Sequence, residues 1–351
     1  MTPRSLAIQT EDIAAILAAD LPWDQLSGCT VAVTGAAGFL GGTVVQALLG
    51  LNNSGRLAQP ITVLALGRDG AKLRDRFGAQ ARLPTLKLLT ADLCNPAGLE
   101  LRADHIIHAA SQASPKYYRV DPVGTLAPNV IGTWHLLQQA KVHGTQRFLF
   151  ISSSEVYGRV AHEGQLAETQ LGLVDPTDVR SCYAESKRMG ETMCLSWAHQ
   201  HGLHVGIARP FHTYGPGLAL DDGRVFADFV ADVVNKRDIV MNSDGSARRA
   251  FCYASDAVRG LFHILLRGDA GGVYNVANPA ADLSVFELAT LLSTLIPTHP
   301  IGVRRVEPQG GAYMPSPFAK LLPDVRRLQA TGWQATVAPA DGFRRMIESY
   351  L

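Results

Sequence analysis

The sequence lacks the features that mark a secreted, metal-binding or membrane-spanning chain. Its cysteines are odd in number and form no C-x-x-C pair; they are Cys29, Cys94, Cys182, Cys194 and Cys252. This pattern argues against a disulfide framework or a zinc site and favours a reducing compartment. No apolar run approaches the roughly 18 residues that a membrane helix needs. The first residues mix acids with apolar residues and lack the apolar core of a signal peptide. We therefore expect a cytoplasmic protein with no metal and no membrane contact.

The chain also lacks an excess of charge of either sign. The chain has 32 Lys and Arg against 31 Asp and Glu, and its arginine pairs are scattered. This balance excludes the basic surface that nucleic acids or anionic membranes require. Hydrophobic residues make up 47% and charged residues 18% of the 351 positions. Such a composition is typical of a globular chain with one large domain or two modest ones.

Short apolar runs alternate with segments of helical periodicity. Strands are predicted at 29–34, 61–66, 86–89, 105–108, 148–151 and 204–208. Helices are predicted at 11–19, 39–49, 129–140, 183–201, 224–235, 255–267 and 284–294. The alternation indicates βαβ units, and hence an α/β fold with a Rossmann-type doubly wound parallel sheet and helices on both faces.

The sequence pattern changes after residue 208, where predicted loops rich in Gly, Pro and Asp precede shorter predicted helices. We therefore predict three parts. They are a helical lead-in at 1–27, an NAD(P)-binding Rossmann domain at 28–208, and a smaller, mainly substrate-binding α/β domain at 209–351.

A glycine-rich turn follows the first predicted strand. Gly35, Gly38 and Gly41 form G-x-x-G-x-x-G and open a helix. Glycines allow a tight turn and a close approach of the backbone to a pyrophosphate, while the helix N-terminus supplies free N–H groups. The strand–turn–helix context predicts a dinucleotide site. The alternative is a glycine-rich turn that binds nothing.

The second predicted strand ends at Gly67, Arg68 and Asp69. An acid at the strand tip usually binds the adenosine ribose of NAD, whereas an arginine can accommodate the 2′-phosphate of NADP. Gly67 takes the acid's position, so the local chemistry leans towards NADP, although Asp69 could still reach a ribose and Arg68 could stack on the adenine. Asp92 follows the third strand and either contacts the adenine or caps a helix from Pro96 onwards.

Tyr183 and Lys187 lie four residues apart on one face of a predicted helix. A nearby ammonium stabilises a phenolate and can hold ribose hydroxyls. Ser153 follows the fifth strand, at the sheet edge where ligands bind in such folds. Together these three residues predict an acid–base site; Tyr183 and Lys187 alone would be an ordinary helix pattern.

At this point the sequence resembles the extended short-chain dehydrogenase/reductase superfamily over roughly residues 28–335. Within it, the chain is similar to the nucleotide-sugar enzymes of the epimerase/dehydratase type, and most of all to UDP-glucuronate decarboxylases. The matching segments are HAASQASPKYY at 108–118, SSEVYG at 153–158, RSCYAESKRMGET at 180–192, ARPFHTYGP at 208–216, DDGRV at 221–225 and DGSARRAFCYASD at 244–256.

The resemblance implies a set of site residues. The catalytic group is Tyr183, Lys187, Ser153, Ser154 and Glu155. The cofactor, NAD or alternatively NADP, would be bound by Gly35, Gly38, Phe39, Leu40, Gly41, Arg68, Asp92, Leu93, Ala109, Ala110, Tyr183, Lys187 and Arg209. A nucleotide-sugar substrate would contact Ser114, Tyr117, His212, Arg224, Arg249 and Tyr253. The resemblance also implies a homodimer, built through the Tyr183 helix and the 129–140 region.

The implied reaction begins with transient oxidation of the sugar at C4, after which a 5-carboxylate can leave as CO2. Glu155 would be a second acid/base group, or else a core hydrogen-bond partner. Related 4,6-dehydratases carry Asp-Glu where this chain has Ser154-Glu155, and simple 4-epimerases usually lack the acid at 155. Decarboxylation is thus favoured over 4-epimerisation or 4,6-dehydration. A non-catalytic dinucleotide sensor is the alternative of another class.

Two departures from the family pattern concern the substrate. His212 stands where the family usually has an asparagine, and residues 319–324 lack an arginine that family members use on the diphosphate, for which Lys320 could substitute. These changes suggest an altered sugar or nucleotide.

Overall fold

The computed structural model describes residues 2–96, 98–160, 164–296, 301–306 and 320–351, with backbone alone at residues 320 and 321. The α-helices are α1 (Pro3–Leu17), α2 (Phe39–Asn52), α3 (Gly70–Phe77), α4 (Pro122–Ala127), α5 (Thr133–His143), α6 (Cys182–His201), α7 (Val225–Val234), α8 (Ala254–Arg267), α9 (Val285–Thr294), α10 (Arg326–Gln329) and α11 (Pro339–Glu348).

The strands alternate with these helices through most of the chain. They are β1 (Thr30–Thr34), β2 (Thr62–Gly67), β3 (Leu86–Thr90), β4 (His105–His108), β5 (Arg147–Ile151), β6 (Gln165–Leu166), β7 (His204–Pro210), β8 (Thr213–Tyr214), β9 (Ile239–Met241), β10 (Arg248–Ala250), β11 (Cys252–Tyr253), β12 (Gly272–Val276), β13 (Asp282–Ser284), β14 (Val303–Arg305) and β15 (Lys320–Pro323). The six predicted strands are confirmed as β1 to β5 and β7.

The largest sheet joins seven parallel strands in the order β12-β7-β5-β4-β1-β2-β3. Alternate residues of β1 belong to different cores. Val31 and Val33 pack with α2 and α8, whereas Ala32 packs with α5 and α6. Strands that are covered on both faces need continuous apolar runs, which is what the sequence shows. The predicted doubly wound α/β fold is therefore confirmed.

Two predicted helices differ from the observed ones. The lead-in helix begins at Pro3 and not at residue 11, because Thr2 accepts a hydrogen bond from Ser5 N at 3.1 Å and proline suits the first helical position. The segment predicted as one helix at 129–140 begins with one π-helical turn, Pro128–Gly132, that leads from α4 into α5. Pro128 has no N–H to donate at this junction.

Helix α1 attaches to the C-terminal helix α11 by charged contacts. Arg345 donates to Glu11 at 2.7 Å and to Asp12 at 2.8 Å, and Arg4 pairs with Glu348. The Tyr253 hydroxyl donates to Asp12 at 2.8 Å in the same cluster. These contacts thus attach the lead-in helix α1 to the C-terminal helix α11.

A second core lies between α7, α9 and α11, where Phe226, Leu288 and Met346 are buried. The chain after residue 208 also returns to the large sheet, since β12 pairs with β7 and α8 covers one face. The division at residue 208 therefore remains a prediction. Among the described residues, no helix combines the length and apolarity needed to cross a membrane.

Candidate active site

A cavity of about 1880 Å³ opens at the carboxyl ends of the parallel strands. Ligands bind at this edge in open α/β sheets. One wall comes from the large sheet and its loops, and the other comes from α7 and from the loops around β8, β9 and β10. The cavity runs from the glycine-rich turn, past the tip of β2, to Tyr183 and Lys187 on α6.

The glycine-rich turn has no space for side chains. Gly35 has φ of 65°, and a Cβ there would lie 2.7 Å from the carbonyl oxygen of Ala109. A Cβ on Gly41 would lie 2.5 Å from the carbonyl oxygen of Gly35. Gly38 begins α2 with no side chain over its first amides, so an anion can approach them. These residues fit the pyrophosphate of a dinucleotide, and the predicted residues Phe39, Leu40, Ala109 and Ala110 line the same region.

The tip of β2 carries positive charge towards the cavity, where Arg68 and Lys72 line the wall. Asp69 also lines it, but its Oδ1 accepts from the amides of Ala71 at 2.9 Å and Lys72 at 3.1 Å as the N-cap of α3. Asp92 lines the cavity beside Leu93, and its Oδ1 accepts from Cys94 N at 2.9 Å. This end of the cavity suits an adenosine. Asp69 and Asp92 each use one carboxylate oxygen to accept hydrogen bonds from backbone amides.

Tyr183 and Lys187 face the cavity from successive turns of α6. Burial raises the pKa of Tyr183 to about 12, whereas the nearby Ser153 hydroxyl and the charge of Arg224 act to lower it. Lys187 Nζ donates to the Ile151 carbonyl at 2.7 Å and lies 5.9 Å from the centroid of the Tyr183 ring. Burial lowers the pKa of Lys187 to about 7, and the Glu191 carboxylate opposes this. The arrangement can move a proton to and from a ligand hydroxyl.

Glu155 faces the same space from the loop after β5. It pairs at two points with Arg180, with Nη1–Oε2 at 3.0 Å and Nη2–Oε1 at 3.2 Å. The Arg180 guanidinium lies 5.8 Å from the Tyr118 ring centroid. Tyr118 stacks on Tyr183 with centroids 5.0 Å apart and planes inclined by 14°. The second predicted acid/base group is therefore held close to the first.

The opposite wall is joined to the sheet side by polar contacts between two loops. Ser114 Oγ donates to the carbonyl oxygen of Asp222, and Lys116 Nζ pairs with Asp221 at 2.8 Å. Asp222 in turn pairs with Arg224 at the start of α7. Tyr117 lines the cavity beside these contacts. These predicted substrate residues thus meet where the two walls converge.

His212 and Arg249 line the cavity beyond this junction. Burial, together with the charges of Arg249 and Arg224, lowers the pKa of His212 to about 3, so its imidazole is neutral at physiological pH. Its Nδ1 is buried and has no hydrogen-bond partner within the described part of the chain. A bound ligand can supply that partner.

The structure does not bring two predicted site residues to the cavity wall. Arg209 was predicted to bind the cofactor, but its guanidinium is enclosed by a buried ion pair with Glu191 at 2.6 Å. Tyr253 was predicted to bind substrate, but it points to Asp12 and Arg345 behind the cavity. Lys320 pairs through its backbone with Arg248, and its side chain is outside the described part of the structure.

The cavity wall also includes residues that were not predicted as site residues, among them Ser111, Tyr118, Arg180 and Asp228. Ser111, Tyr118 and Arg180 lie inside the segments that carry the family resemblance, which was the available signal. Burial and the neighbouring Asp232 and Asp222 raise the pKa of Asp228 to about 6. Nothing in the pattern of α7 distinguishes Asp228 from an exposed helical acid. Across the described ranges, His, Cys, Asp and Glu form no group of three or more that could hold a metal.

Comparison with known proteins identifies the family. The NAD dependent epimerase/dehydratase family matches residues 31–277. UDP-glucuronic acid decarboxylase 6 of Arabidopsis thaliana is 34% identical over 325 residues, covering 92% of this chain and 89% of the relative.

Solved structures share the fold. A dTDP-glucose 4,6-dehydratase from Streptomyces venezuelae with NAD bound has a TM-score of 0.74 and 26% identity, covering 92% of this chain and 96% of its own. UDP-glucuronic acid 4-epimerase from Bacillus cereus, in complex with UDP-glucuronic acid and NAD, has a TM-score of 0.74 and 21% identity, covering 92% and 98%. The chain belongs to the NAD dependent epimerase/dehydratase family, and it is a nucleotide-sugar enzyme that works with a nicotinamide dinucleotide.

Proposed function

We propose that the protein oxidises a UDP-glucuronate-like sugar at C4 and releases its 5-carboxylate as CO2. The observation that carries this proposal is the position of Ser154 and Glu155 in the same cavity as Tyr183 and Ser153. Position 154 offers a hydroxyl where a 4,6-dehydratase has the aspartic acid that protonates the departing hydroxyl. Glu155 is an acid that a simple 4-epimerase usually lacks. The similarity to UDP-glucuronic acid decarboxylases over 92% of the chain supports the same reaction.

The first stage uses the groups on α6. Tyr183 takes the proton of the sugar 4-hydroxyl, and Ser153 shares that hydrogen bond. Lys187 in its charged form stabilises the phenolate. A bound nicotinamide would accept a hydride from C4 and return it at the end. The site must exclude water meanwhile, and the contacts of Ser114 and Lys116 with the 221–222 loop close one side.

The second stage depends on the ketone. A carbonyl at C4 places the 5-carboxylate β to it, so the bond between C5 and the carboxylate carbon can break with its electrons moving into the carbonyl. CO2 leaves and C5 takes up a proton. Glu155 is the side chain of the wall placed to exchange that second proton, and Arg180 fixes its orientation.

Incubation of the purified protein with UDP-glucuronate tests this proposal. We expect CO2 and a UDP-pentose, identified by mass spectrometry and by trapping the gas. Tyr183→Phe serves as the inactive control. UDP-galacturonate without CO2 would assign 4-epimerisation in place of decarboxylation, and the absence of any product would reject UDP-glucuronate as the substrate.

We propose that the adenosine end binds NAD and also admits the 2′-phosphate of NADP. Gly67 has no side chain to repel a phosphate, and Arg68 and Lys72 supply positive charge there. We expect Arg68→Ala to weaken NADP binding by about tenfold or more, which is the loss of one charge-assisted hydrogen bond, and to leave NAD binding nearly unchanged. Titration calorimetry with both dinucleotides measures this. Arg74→Ala, which removes a neighbouring charge on α3, is the matched control. An equal loss for both dinucleotides would contradict the proposal.

We propose that the protein forms a homodimer through α5 and α6, as the family resemblance predicts. Trp134 on α5 and Met189 on α6 are 45% and 49% exposed. The Trp134 and Trp197 rings pack edge-to-face with their centroids 4.7 Å apart. We expect Trp134→Glu to convert the dimer into monomers, measured by light scattering during size-exclusion chromatography. Leu173→Glu changes an apolar residue that is 82% exposed elsewhere and should leave the dimer intact. A monomeric wild-type protein would overturn the proposal.

We propose the cytoplasm as the compartment. All five cysteines are free in the structure, and free thiols persist where the surroundings are reducing. Fractionation of the source cells, followed by immunodetection, measures this.

A further inference from the structure

A buried ion pair lies behind the catalytic lysine. Glu191 follows Lys187 by one turn of α6. Arg209 on β7 donates to it at two points, with Nε–Oε1 at 2.9 Å and Nη2–Oε2 at 2.6 Å. Ser152, directly after β5, donates to Oε1 at 2.5 Å. The Arg209 and Glu191 side chains are only 5% and 9% exposed. Three hydrogen bonds therefore hold this carboxylate between two neighbouring strands and α6.

Burial disfavours the charged form of Lys187, which is 2% exposed. The Phe150 ring, whose centroid lies 4.9 Å from Nζ, attracts the ammonium weakly. The titratable groups that act on it or respond to it are Glu191 and Cys194 on α6 and His108 on β4, and the Tyr183 ring centroid lies 5.9 Å from its Nζ. Among them, the Glu191 carboxylate is the strongest support for the ammonium.

We propose that Glu191 and Arg209 form a positioning unit that fixes Ser152 against α6 and supports the charged form of Lys187. A two-point guanidinium–carboxylate contact fixes both distance and angle. Ser152 precedes Ser153 in the chain, and Glu191 shares a helix with Tyr183. The hydrogen bond from Ser152 to the fixed Glu191 carboxylate therefore sets the spacing of the Ser153 and Tyr183 hydroxyls, which would flank the substrate oxygen. Misplacement by about 1 Å can cost roughly a hundredfold in rate. The inference rests on the proposed role of Lys187.

The charge effect is tested by titrating the Lys187 side-chain signal by nitrogen NMR, assigned through its loss in Lys187→Arg. Glu191→Gln keeps the shape of the side chain and removes its charge. We expect it to lower the pKa of Lys187 by about one unit, from about 7 in the wild-type protein. When the pH is raised, Lys187 of the variant therefore loses its proton at a lower pH than in the wild-type protein. The alkaline limb of the pH profile of kcat should move to lower pH by the same amount, and KM should change less.

Asp256→Asn is the matched control. Asp256 is 1% exposed and pairs with Arg259 at 2.7 Å on α8, away from the cavity wall. It should lower the denaturation midpoint without moving the Lys187 titration. An unchanged titration in Glu191→Gln, or an equal shift in Asp256→Asn, would overturn the charge role.

The positioning effect is tested with Arg209→Lys, which keeps both charges and loses the two-point contact. We expect kcat to fall about tenfold or more while the alkaline limb stays in place. A wild-type kcat would overturn the positioning role, and Arg209→Lys tests this role even if Glu191→Gln does not fold. The NMR titration needs no substrate. It therefore tests the inference even if UDP-glucuronate is not turned over, which would be a failure of the proposed function alone.

Discussion

Tyr183→Phe should reduce turnover by roughly 10²–10⁴-fold, the usual contribution of a positioned proton-transfer group. Phenylalanine keeps the stack on Tyr118 and the packing of α6, so the loss is confined to the hydroxyl. Oxidation at C4 needs that hydroxyl from the start. We therefore expect no reduced nicotinamide to appear when the variant is mixed rapidly with UDP-glucuronate and followed by near-ultraviolet absorbance.

Tyr253→Phe is the control for this variant. It removes another buried phenol hydroxyl, one that contacts Asp12 and Arg345 and does not line the cavity. The loss of two hydrogen bonds to charged groups should cost roughly 1.5–3 kcal/mol of stability, with kcat and KM unchanged. If Tyr183→Phe kept full turnover of every nucleotide sugar tried, the proposed mechanism would be wrong. A raised KM in Tyr253→Phe would return Tyr253 to the substrate site.

The fold was predictable because its strands are buried on both faces. The apolar run before Gly35 and the runs at 61–66 and 105–108 each have a length and composition that suit a central parallel strand. The start of α1 was not predictable by the same rule. Its buried positions, Ser5, Ile8, Asp12 and Ile16, include two polar residues that become buried only through contacts with distant parts of the chain.

The candidate site was predictable where its residues follow strand ends or share a helix face. Gly35, Ser153, Tyr183 and Lys187 are of this kind, and all of them line the cavity. Arg209 also follows a predicted strand, at 204–208, but sequence could not show that Glu191 would enclose its guanidinium. That pairing joins residues from two elements, and only the packed structure brings them together.

Glu155 and Arg180 show how a local pattern can hide a site contact. Arg180 lies three residues before Tyr183 and was not predicted as a site residue. In the structure it joins the loop after β5 to the start of α6. The carboxylate that separates decarboxylation from 4-epimerisation in our proposal is therefore anchored to the turn just before the catalytic helix.

Glu155→Gln should separate the two stages of the reaction. Oxidation at C4 relies on Tyr183, Lys187 and Ser153, so reduced nicotinamide should form at close to the wild-type rate. The following stage should slow by roughly 10²–10⁴-fold, because the second proton-transfer group is lost. We expect reduced nicotinamide to accumulate after rapid mixing with UDP-glucuronate, while release of CO2 and UDP-pentose falls.

Arg180→Lys is the companion variant, since lysine keeps the charge and offers a single point of contact to Glu155. We expect a smaller accumulation of reduced nicotinamide than in Glu155→Gln, because the carboxylate is present but less well oriented. The double variant should resemble Glu155→Gln alone, since the two residues act as one unit. For proton transfer, a 4-epimerase needs only the Tyr183 group, since the hydride from C4 would pass to a bound nicotinamide and back. Release of CO2 at the wild-type rate by Glu155→Gln would contradict the role of Glu155, whereas full conversion to UDP-galacturonate without CO2 would favour epimerisation on the same fold.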